Sequence, residues 1–367
     1  MKLKKASKQK SENSITYIMH NRSFLILVCL LLFLSCNKKD NKSDDLFSKV
    51  QNVSCTKISI DFMLGMPNQI GMIDDIIIIL DVFEQKALTL YDYKNNRFIN
   101  RIIGIGQGPN EVIPPFDLSI NNDKKTINLL QRQNGIFTQY NIENLIRGNV
   151  NPTNETNLGN IDKAIETSNG YISSGFYEDG VIGFHDNKGI IQKVKNTYPE
   201  YLKLSEQVNA YDKYALGQGA LSFNNNTRTF VFASFFTGEI TFYKLSEDNE
   251  LIKMSYYDLN KSSELKNRIS SSINVKIAET DIVHSEGIYA TKDFFYILYL
   301  GKTMREKYQD SNIQSSTIFQ FDTEGNIINC FKTNKRLYGI CVDENNEKIF
   351  GISLDDELEY VLVEIDI

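Results

Sequence analysis

The fold of this chain is decided by the successive stretches Phe294–Tyr299 (FFYILY), Thr317–Phe321 (TIFQF), Asp322–Asn326 (DTEGN) and Ile327–Phe331 (IINCF). Apolar runs rich in Phe, Tyr and Ile predict β-strands. The residues of the DTEGN segment tolerate positive φ or bond their own backbone, and therefore predict a turn. With Ile288–Ala290 in front, the stretch predicts four short strands in succession.

The same unit recurs along the chain. Each copy has a strand that ends in an apolar or aromatic residue followed by a polar one. The six pairs are Tyr91-Asp92, Tyr140-Asn141, Phe184-His185, Tyr243-Lys244, Phe321-Asp322 and Ile365-Asp366. Their spacings are 49, 44, 59, 78 and 44 residues. Short strands that repeat at about 40–50 residues are typical of a β-propeller.

We therefore predict an all-β fold, a six-bladed β-propeller. A β-sandwich is the alternative, but six units fit one closed ring without a leftover sheet edge. The sixth unit supplies only three strands, which end at Tyr360–Ile365. The segment Lys57–Phe62 alternates polar and apolar residues and has no other hairpin partner, so we expect this N-terminal strand to complete the last blade.

The N-terminal region predicts the cellular location of the protein. Ser23–Leu34 is an apolar stretch of 12 residues, too short to span a bilayer and typical of a signal-peptide core. It ends at Ser35-Cys36, which resembles a bacterial lipobox, so we expect residues 1–35 to be a lipoprotein signal peptide and Cys36 to be lipidated. A plain secretory signal is the alternative. The true start is left open between Met1 and Met19.

Residues 36–52 are charged and predict a polar tether, and residues 53–367 predict a single propeller domain. The chain has a net charge of −6, and loss of residues 1–35, which hold six Lys or Arg and one Glu, leaves −11. An acidic surface of this kind disfavours nucleic acid as a partner.

The residue types that build common cofactor sites are scarce. Trp is absent, His is present three times, and no Cys-x-x-Cys pair occurs. We expect no cofactor, no metal site and no disulfide framework, with Cys55, Cys330 and Cys341 as buried free thiols. His185, at a strand end, is expected to be solvated.

The most distinctive short segment is Gly104–Glu111, GIGQGPNE. A phosphate-binding loop would need a helix directly after it, but Pro109, Pro114 and Pro115 follow, so we predict a tight crossover between blades one and two. The segment resembles the Gly-x-Gly-Gln-Gly-Pro-x-Glu motif of the TolB-like six-bladed propeller lipoproteins of Gram-negative bacteria. The Cys-ended signal, the closing strand and Gly339–Asp343 are similar too. This resemblance implies the fold and a cell-envelope location, and no particular reaction.

Three long insertions interrupt the minimal repeat: Thr197–Gly219, Asp258–Ser285 and Lys302–Ser316. Loops on a rigid scaffold usually carry function. The first two join the outer strand of one blade to the inner strand of the next, so they open on one face of the ring. We predict a binding face there that includes Glu111, Tyr211, His284 and Glu286.

From these patterns we predict a lipid-anchored envelope propeller, in the outer membrane, that binds or scaffolds an envelope protein or glycan. No catalytic residue is assigned. The alternative is an envelope hydrolase or lyase whose site lies in the central pocket. Such a site requires facing carboxylates, for which Glu111, Asp117, Glu286 and Asp343 are the candidates.

Overall fold

The computed structural model describes residues 46–115, 117–177, 180–206, 208–259, 264–271, 275–309 and 314–367. The predicted signal peptide, Cys36 and the tether as far as residue 45 lie outside the described residues. The described chain forms six small sheets. The predicted six-bladed propeller is confirmed.

Each sheet is one blade, with its strands antiparallel and in chain order. Blade one contains β3 (Pro67–Ile73), β4 (Ile76–Phe83), β5 (Lys86–Asp92) and β6 (Arg97–Ile105), with the short β7 (Glu111–Val112) parallel to β6. Blade two contains β8 (Asp117–Asn121), β9 (Thr126–Gln131), β10 (Ile136–Asn141) and β11 (Asn154–Asn157). Blade three contains β12 (Ile161–Thr167), β13 (Gly170–Tyr177), β14 (Gly180–His185) and β15 (Ile191–Lys195).

The remaining blades follow the same order. Blade four contains β16 (Gly219–Asn224), β17 (Thr229–Ser234), β18 (Glu239–Leu245) and β19 (Leu251–Asp258). Blade five contains β20 (Ile282–Ala290), β21 (Phe294–Thr303), β22 (Thr317–Asp322) and β23 (Ile327–Thr333). Blade six contains β24 (Gly339–Asp343), β25 (Lys348–Leu354) and β26 (Tyr360–Asp366).

Short helices lie in the connections, at Ile142–Ile146, Glu200–Lys203, Ala210–Gly217, Glu264–Ser271 and Met304–Gln309, with a 3-10 turn at Glu344–Asn346. Within the part of the chain that is described, no helix is long and apolar enough to cross a membrane.

Strand β4 shows why the continuous apolar runs of this chain form blades. Ile78 and Leu80 pack in one cluster with Leu129 of blade two. Ile77 and Ile79, on the opposite face of the strand, pack with residues of blade six. Successive strand residues point to opposite faces, so a strand held between two neighbouring blades is buried on both faces, which favours runs of apolar residues such as Ile76–Leu80.

The first strands of the six blades form a ring around a central channel. Each contacts the first strand of the blades on either side, from β3 through β8, β12, β16, β20 and β24 and back to β3. The channel is therefore lined by these six strands. We call the face at which the first strands begin the upper face and the face at which they end the lower face.

The ring is closed by the N-terminal region, as predicted. Strand β2 (Thr56–Lys57) pairs antiparallel with β26 and completes blade six, and the Ile58 amide donates to the Leu362 carbonyl at 2.9 Å. The paired segment is shorter than the predicted Lys57–Phe62, because the chain turns away after Ile58.

A second N-terminal strand was not predicted. Strand β1 (Val50–Val53) pairs parallel with β23 at the outer edge of blade five. Leu46 is fully buried, and the Phe47 ring packs 5.3 Å from the Phe319 ring. From Leu46 onward, the predicted tether is thus part of the folded domain.

His185 differs from the expectation of a solvated side chain. It is 4% exposed, and its ring nitrogens lie 2.8 Å from the Ser173 hydroxyl and 3.1 Å from the Gly189 carbonyl. Burial lowers the pKa of His185. Cys55, Cys330 and Cys341 are buried free thiols, as predicted.

Two N-terminal truncations test the closure. A chain beginning at Ser54 loses β1 with the packed Leu46 and Phe47, and a chain beginning at Ser59 also loses β2. We expect the second truncation to cost about 2 kcal/mol more, which corresponds to a further drop of roughly 4–8 °C in melting temperature. Thermal melts compare the two proteins. Equal midpoints would contradict the assignment of β2 as the closing strand.

Candidate functional site

A large concave site lies where the central channel opens on the upper face. It is a cavity of about 960 Å³ lined by the starts of first strands and by parts of the insertions. That volume is at the upper end of those usual for ligand sites. All three insertions reach the upper face, since each connects strands that begin or end there. We call this cavity the upper mouth.

Three of the first strands are irregular where they line the upper mouth. An extra residue interrupts the pairing of β3 at Asn68, of β12 at Asp162 and of β20 at Glu286. All three line the cavity, and they come from blades one, three and five. β-Bulges redirect side chains and are common beside functional sites.

The bulged Glu286 lies at the centre of a charged cluster. Its Oε1 is 3.0 Å from the Lys307 Nζ and 3.5 Å from an Arg336 terminal nitrogen. The Arg336 guanidinium also lies 4.5 Å from the centre of the Tyr338 ring. The side chains of Glu286 and Arg336 are only 8% and 11% exposed. The cluster carries one carboxylate and two cations, an excess of one positive charge.

Two polar atoms of this cluster have no hydrogen-bond partner in the described part of the chain. They are Glu286 Oε2, an acceptor, and Arg336 Nε, a donor. A buried polar group left without a partner costs about 1–3 kcal/mol. Both atoms are buried within the wall, and a ligand that formed hydrogen bonds with them would remove this cost.

The opposite wall carries a second charged cluster. The Lys163 ammonium lies 2.8 Å from the Asp117 carboxylate, which also accepts from the Gln69 side-chain amide at 3.0 Å. Arg132 pairs with the bulged Asp162 at 2.5 Å. Burial raises the pKa of Asp162, and the positive charges of Arg132 and Lys163 oppose that shift.

The two ends of the channel differ in charge. Among the described residues, those that line the upper mouth include four cationic and two acidic side chains: Arg132, Lys163, Lys307, Arg336, Asp162 and Glu286. The carboxylate of Asp117, which pairs with Lys163, lies beside them. The lower opening is lined by two cationic and four acidic side chains: Lys125, Lys292, Asp74, Asp123, Asp343 and Glu344. In a chain of net charge −6, the upper mouth is therefore locally positive.

Of the four residues predicted for the binding face, Glu286 lines the upper mouth. Tyr211, on the helix Ala210–Gly217, is 66% exposed, and its ring lies 6.2 Å from the Phe176 ring. His284 is only 2% exposed and does not reach the cavity, although it is two residues from Glu286.

His284 is buried near the end of the insertion Asp258–Ser285. Its amide donates to the Phe235 carbonyl, and neither ring nitrogen has a partner among the described residues. Burial lowers the pKa of His284 to about 4. Nearby, Tyr256 donates to Glu239 at 2.6 Å, and burial with the charge of Asp258 raises the pKa of Glu239 to about 7.

Glu111 stabilises the glycine-rich loop. Its carboxylate accepts from the Gly108 amide at 2.8 Å and lies against Gly104 and Gly106. A Cβ at Gly106 would come within 2.1 Å of Glu111 Oε2. The GIGQGPNE segment is thus the crossover that was predicted, and its glycines make room for the glutamate that closes it.

The four candidate carboxylates do not converge. Asp117 and Glu286 line the upper part of the channel, each in contact with cationic side chains. Asp343 lies at the lower opening, where it accepts from Tyr93, and Glu111 lies in the crossover. Among the described residues, no group of three or more His, Cys, Asp or Glu side chains could hold a metal ion.

Sequence reasoning did not identify most residues of the upper mouth. These are Asn68, Gln69, Arg132, Asp162, Lys163, Lys307 and Arg336. A bulge depends on the register between two strands and leaves no local mark in the sequence. The available signals were the insertions: Lys302–Ser316 supplies Lys307, and Thr197–Gly219 supplies Tyr214 and Gln218.

The family model described as TolB-like 6-blade propeller-like matches residues 45–345. The chain belongs to this family of six-bladed propellers. No curated protein matches the chain.

Two solved structures share the fold. A member of the DUF4221 family from Bacteroides vulgatus is 10% identical, with a TM-score of 0.55, and the match covers 86% of this chain and 98% of that one. A protein from Bacteroides fragilis, assigned as exported, is 13% identical, with a TM-score of 0.51 and coverage of 86% and 94%. At these identities the likeness shows the architecture alone.

A double-mutant cycle tests the role of the glycine loop. We expect Gly106→Ala to destabilise the protein by about 1–3 kcal/mol, because the new methyl group overlaps the Glu111 carboxylate. In a Glu111→Ala background the same change should cost much less, since the overlap is gone. Denaturant unfolding of the four proteins measures the coupling. Additive effects would show that Gly106 is required for another reason.

Proposed function

We propose that this protein is a lipid-anchored binding propeller of the cell envelope that recognises a partner protein through its upper face. The observation that supports the proposal most directly is the upper mouth, where three bulged residues and four cationic side chains surround an open cavity. Buried polar atoms without partners at its wall favour a site built to bind.

Exposed apolar side chains around the upper mouth support a protein partner. Large, exposed apolar or aromatic residues on this face are Met63, Met66, Phe176, Leu204, Tyr211, Tyr308 and Leu358. Apolar residues gathered on one face are typical of interaction surfaces, and Tyr is enriched among residues that carry binding energy. A glycan partner, the second class expected from the sequence, has less support because few of these side chains offer hydrogen bonds.

A hydrolase or lyase has less support still. Its mechanism would require two carboxylates that face one substrate. Asp117 and Glu286 are each engaged by Lys or Arg side chains, and Glu111 and Asp343 lie elsewhere.

The envelope location rests on the sequence of the N-terminal region. An apolar run too short to span a bilayer leads to Ser35-Cys36. The exported assignment of the Bacteroides fragilis structural relative agrees with this location. We place the lipid at Cys36 and the propeller at the outer membrane, joined by the short charged segment that precedes Leu46.

Matched surface variants test the binding face. We expect the triple variant Met66→Ser, Tyr211→Ser, Tyr308→Ser to lose partner capture, because these side chains are 66–73% exposed around the upper mouth. The control is Ile190→Ser, Ile252→Ser, Ile328→Ser, which alters exposed residues toward the lower face. Cross-linked envelope partners are identified by mass spectrometry. Equal loss in both variants, or none in the first, would place the interaction elsewhere.

Replacement of the junction cysteine tests the anchor. We expect Cys36→Ser to release the protein from membranes, because stable anchoring needs several acyl chains and this change removes their attachment site. Cys29→Ser, which changes a cysteine inside the apolar run, should remain anchored. Fractionation after a high-salt wash measures the effect. A Cys36→Ser protein that stays with the membranes would contradict lipidation at this residue.

A further inference from the structure

We propose that the upper mouth captures the free carboxy-terminal end of a polypeptide. The terminal carboxylate would lie against Arg336 and Lys307, and the amide N–H of the last residue would donate to Glu286. This inference rests on the proposed binding function and specifies the part of the partner that enters the cavity.

The first step of the argument is charge. Glu286, Lys307 and Arg336 together carry one net positive charge at a largely buried wall. An incoming anion is therefore favoured, and it is held by charge-assisted hydrogen bonds of the kind that Arg forms with carboxylates. The chain as a whole is acidic, so an extended polyanion would be repelled by the surrounding surface while a single carboxylate would not.

The second step is the pair of atoms without partners. Glu286 Oε2 can accept one hydrogen bond, and Arg336 Nε can donate one. These two side chains lie next to each other, since another nitrogen of Arg336 is 3.5 Å from Glu286 Oε1. A ligand that satisfies both atoms offers an acceptor and a donor close together. A carboxylate alone offers only acceptors, whereas a peptide end has an N–H beside its carboxylate.

The third step is the rest of the wall. Apolar side chains line a large part of the same cavity, including Pro67, Leu80, Val82, Pro115 and Val181. Such a surface suits the apolar side chain of a final residue, and Asn68, Gln69 and Gln218 on the same lining can bond the peptide backbone. An acidic sugar could satisfy the same two atoms but would leave the apolar part of the wall uncovered. The cavity of about 960 Å³ has room for a few residues. This mode of recognition, with a terminal carboxylate in a polar nest, is one that proteins use for peptides.

The fourth step is the backbone. Glu286 reaches the channel because it is the extra residue between Ser285, paired with Tyr299, and Gly287, paired with Leu298. Arg336 is fixed by donation to the Lys307 carbonyl at 3.2 Å and by its position over Tyr338. The donor and acceptor are thus held in place before the ligand arrives, which lowers the entropic cost of binding.

Calorimetric titration tests this inference on the full chain purified in detergent. The probes are N-acetylated tripeptides ending in leucine or phenylalanine, each as the free acid and as the C-terminal amide. We expect the acids to bind and the amides to bind at least about tenfold more weakly, because a charge-assisted hydrogen bond is lost. Arg336→Gln and, separately, Lys307→Met should weaken binding of the acids by a similar factor.

Arg305→Gln is the matched control, because Arg305 is an exposed cation in the same helix as Lys307 and pairs with Glu279 at 2.8 Å. It should bind the acids as the wild type does. Equal binding of acids and amides, or no binding of either, would overturn the inference. If Arg336→Gln fails to fold, the comparison of acid and amide on the wild type still decides.

Parallel titrations with glucuronate and glucose test whether the cavity binds an acidic sugar instead of a peptide end. Binding of glucuronate in preference to the tripeptide acids would overturn the inference in favour of an acidic sugar. The surface triple variant at Met66, Tyr211 and Tyr308 keeps the outcomes distinct. If the tripeptides fail and that variant still loses its partner, the upper face remains the binding face and only the carboxy-terminal mode of capture is wrong.

Discussion

The closure of the ring is the constraint on which the rest of this structure depends. The first strands of the six blades pack against one another around the channel, and the ring is completed where β24 contacts β3. Blade six obtains its fourth strand from Thr56–Lys57, which joins the two ends of the domain by strand pairing. Without that pairing, β26 would expose an unpaired edge and the apolar side chains beneath it. Within the described chain, the N-terminal residues from Leu46 to Ile58 thus have a structural role in the propeller.

A closed ring restricts where a ligand can bind. Strands between neighbouring blades are buried on both faces, as the clusters around β4 show. Their side chains pack against the neighbouring blades. The first strands are different, because one face of each borders the channel. Only at the channel ends can polar side chains from several blades approach one ligand without unsealing the ring, so the two openings are the natural sites for function.

The bulges show how the upper opening was built on this scaffold. In a strand with regular pairing, alternation alone determines the position and direction of each side chain. An extra residue at Asn68, Asp162 and Glu286 changes that alternation locally while the rest of each strand keeps its register. The insertions then add what the first strands cannot supply: Lys307 comes from the short helix Met304–Gln309. The upper mouth therefore combines side chains held by the strands of the ring with charged side chains from the insertions.

The sequence was sufficient for the fold because the strand and turn patterns are local and the repeat is long enough to detect. It was not sufficient for the site. His284 and Glu286 stand two residues apart, and regular alternation would give them the same direction, yet only Glu286 reaches the cavity because the bulge intervenes. His185 looked solvated at a strand end but is buried against Ser173, a contact that no spacing in the sequence reveals.

The glycine-rich motif Gly104–Glu111 likewise informs about the fold and not about the site. It is the segment that most clearly resembles the TolB-like propellers. Its glycines at 104, 106 and 108 leave space for the Glu111 carboxylate, which stabilises the crossover. A motif that stabilises the path between two blades identifies the architecture and is independent of the ligand. The residues that would distinguish one ligand from another lie in the bulges, the insertions and the connection from β23 to β24, where Glu286 and Arg336 have hydrogen-bonding atoms without a partner among the described residues. Membership of the family therefore gives the architecture, and the chemistry of the upper mouth must be determined for each chain from its own side chains.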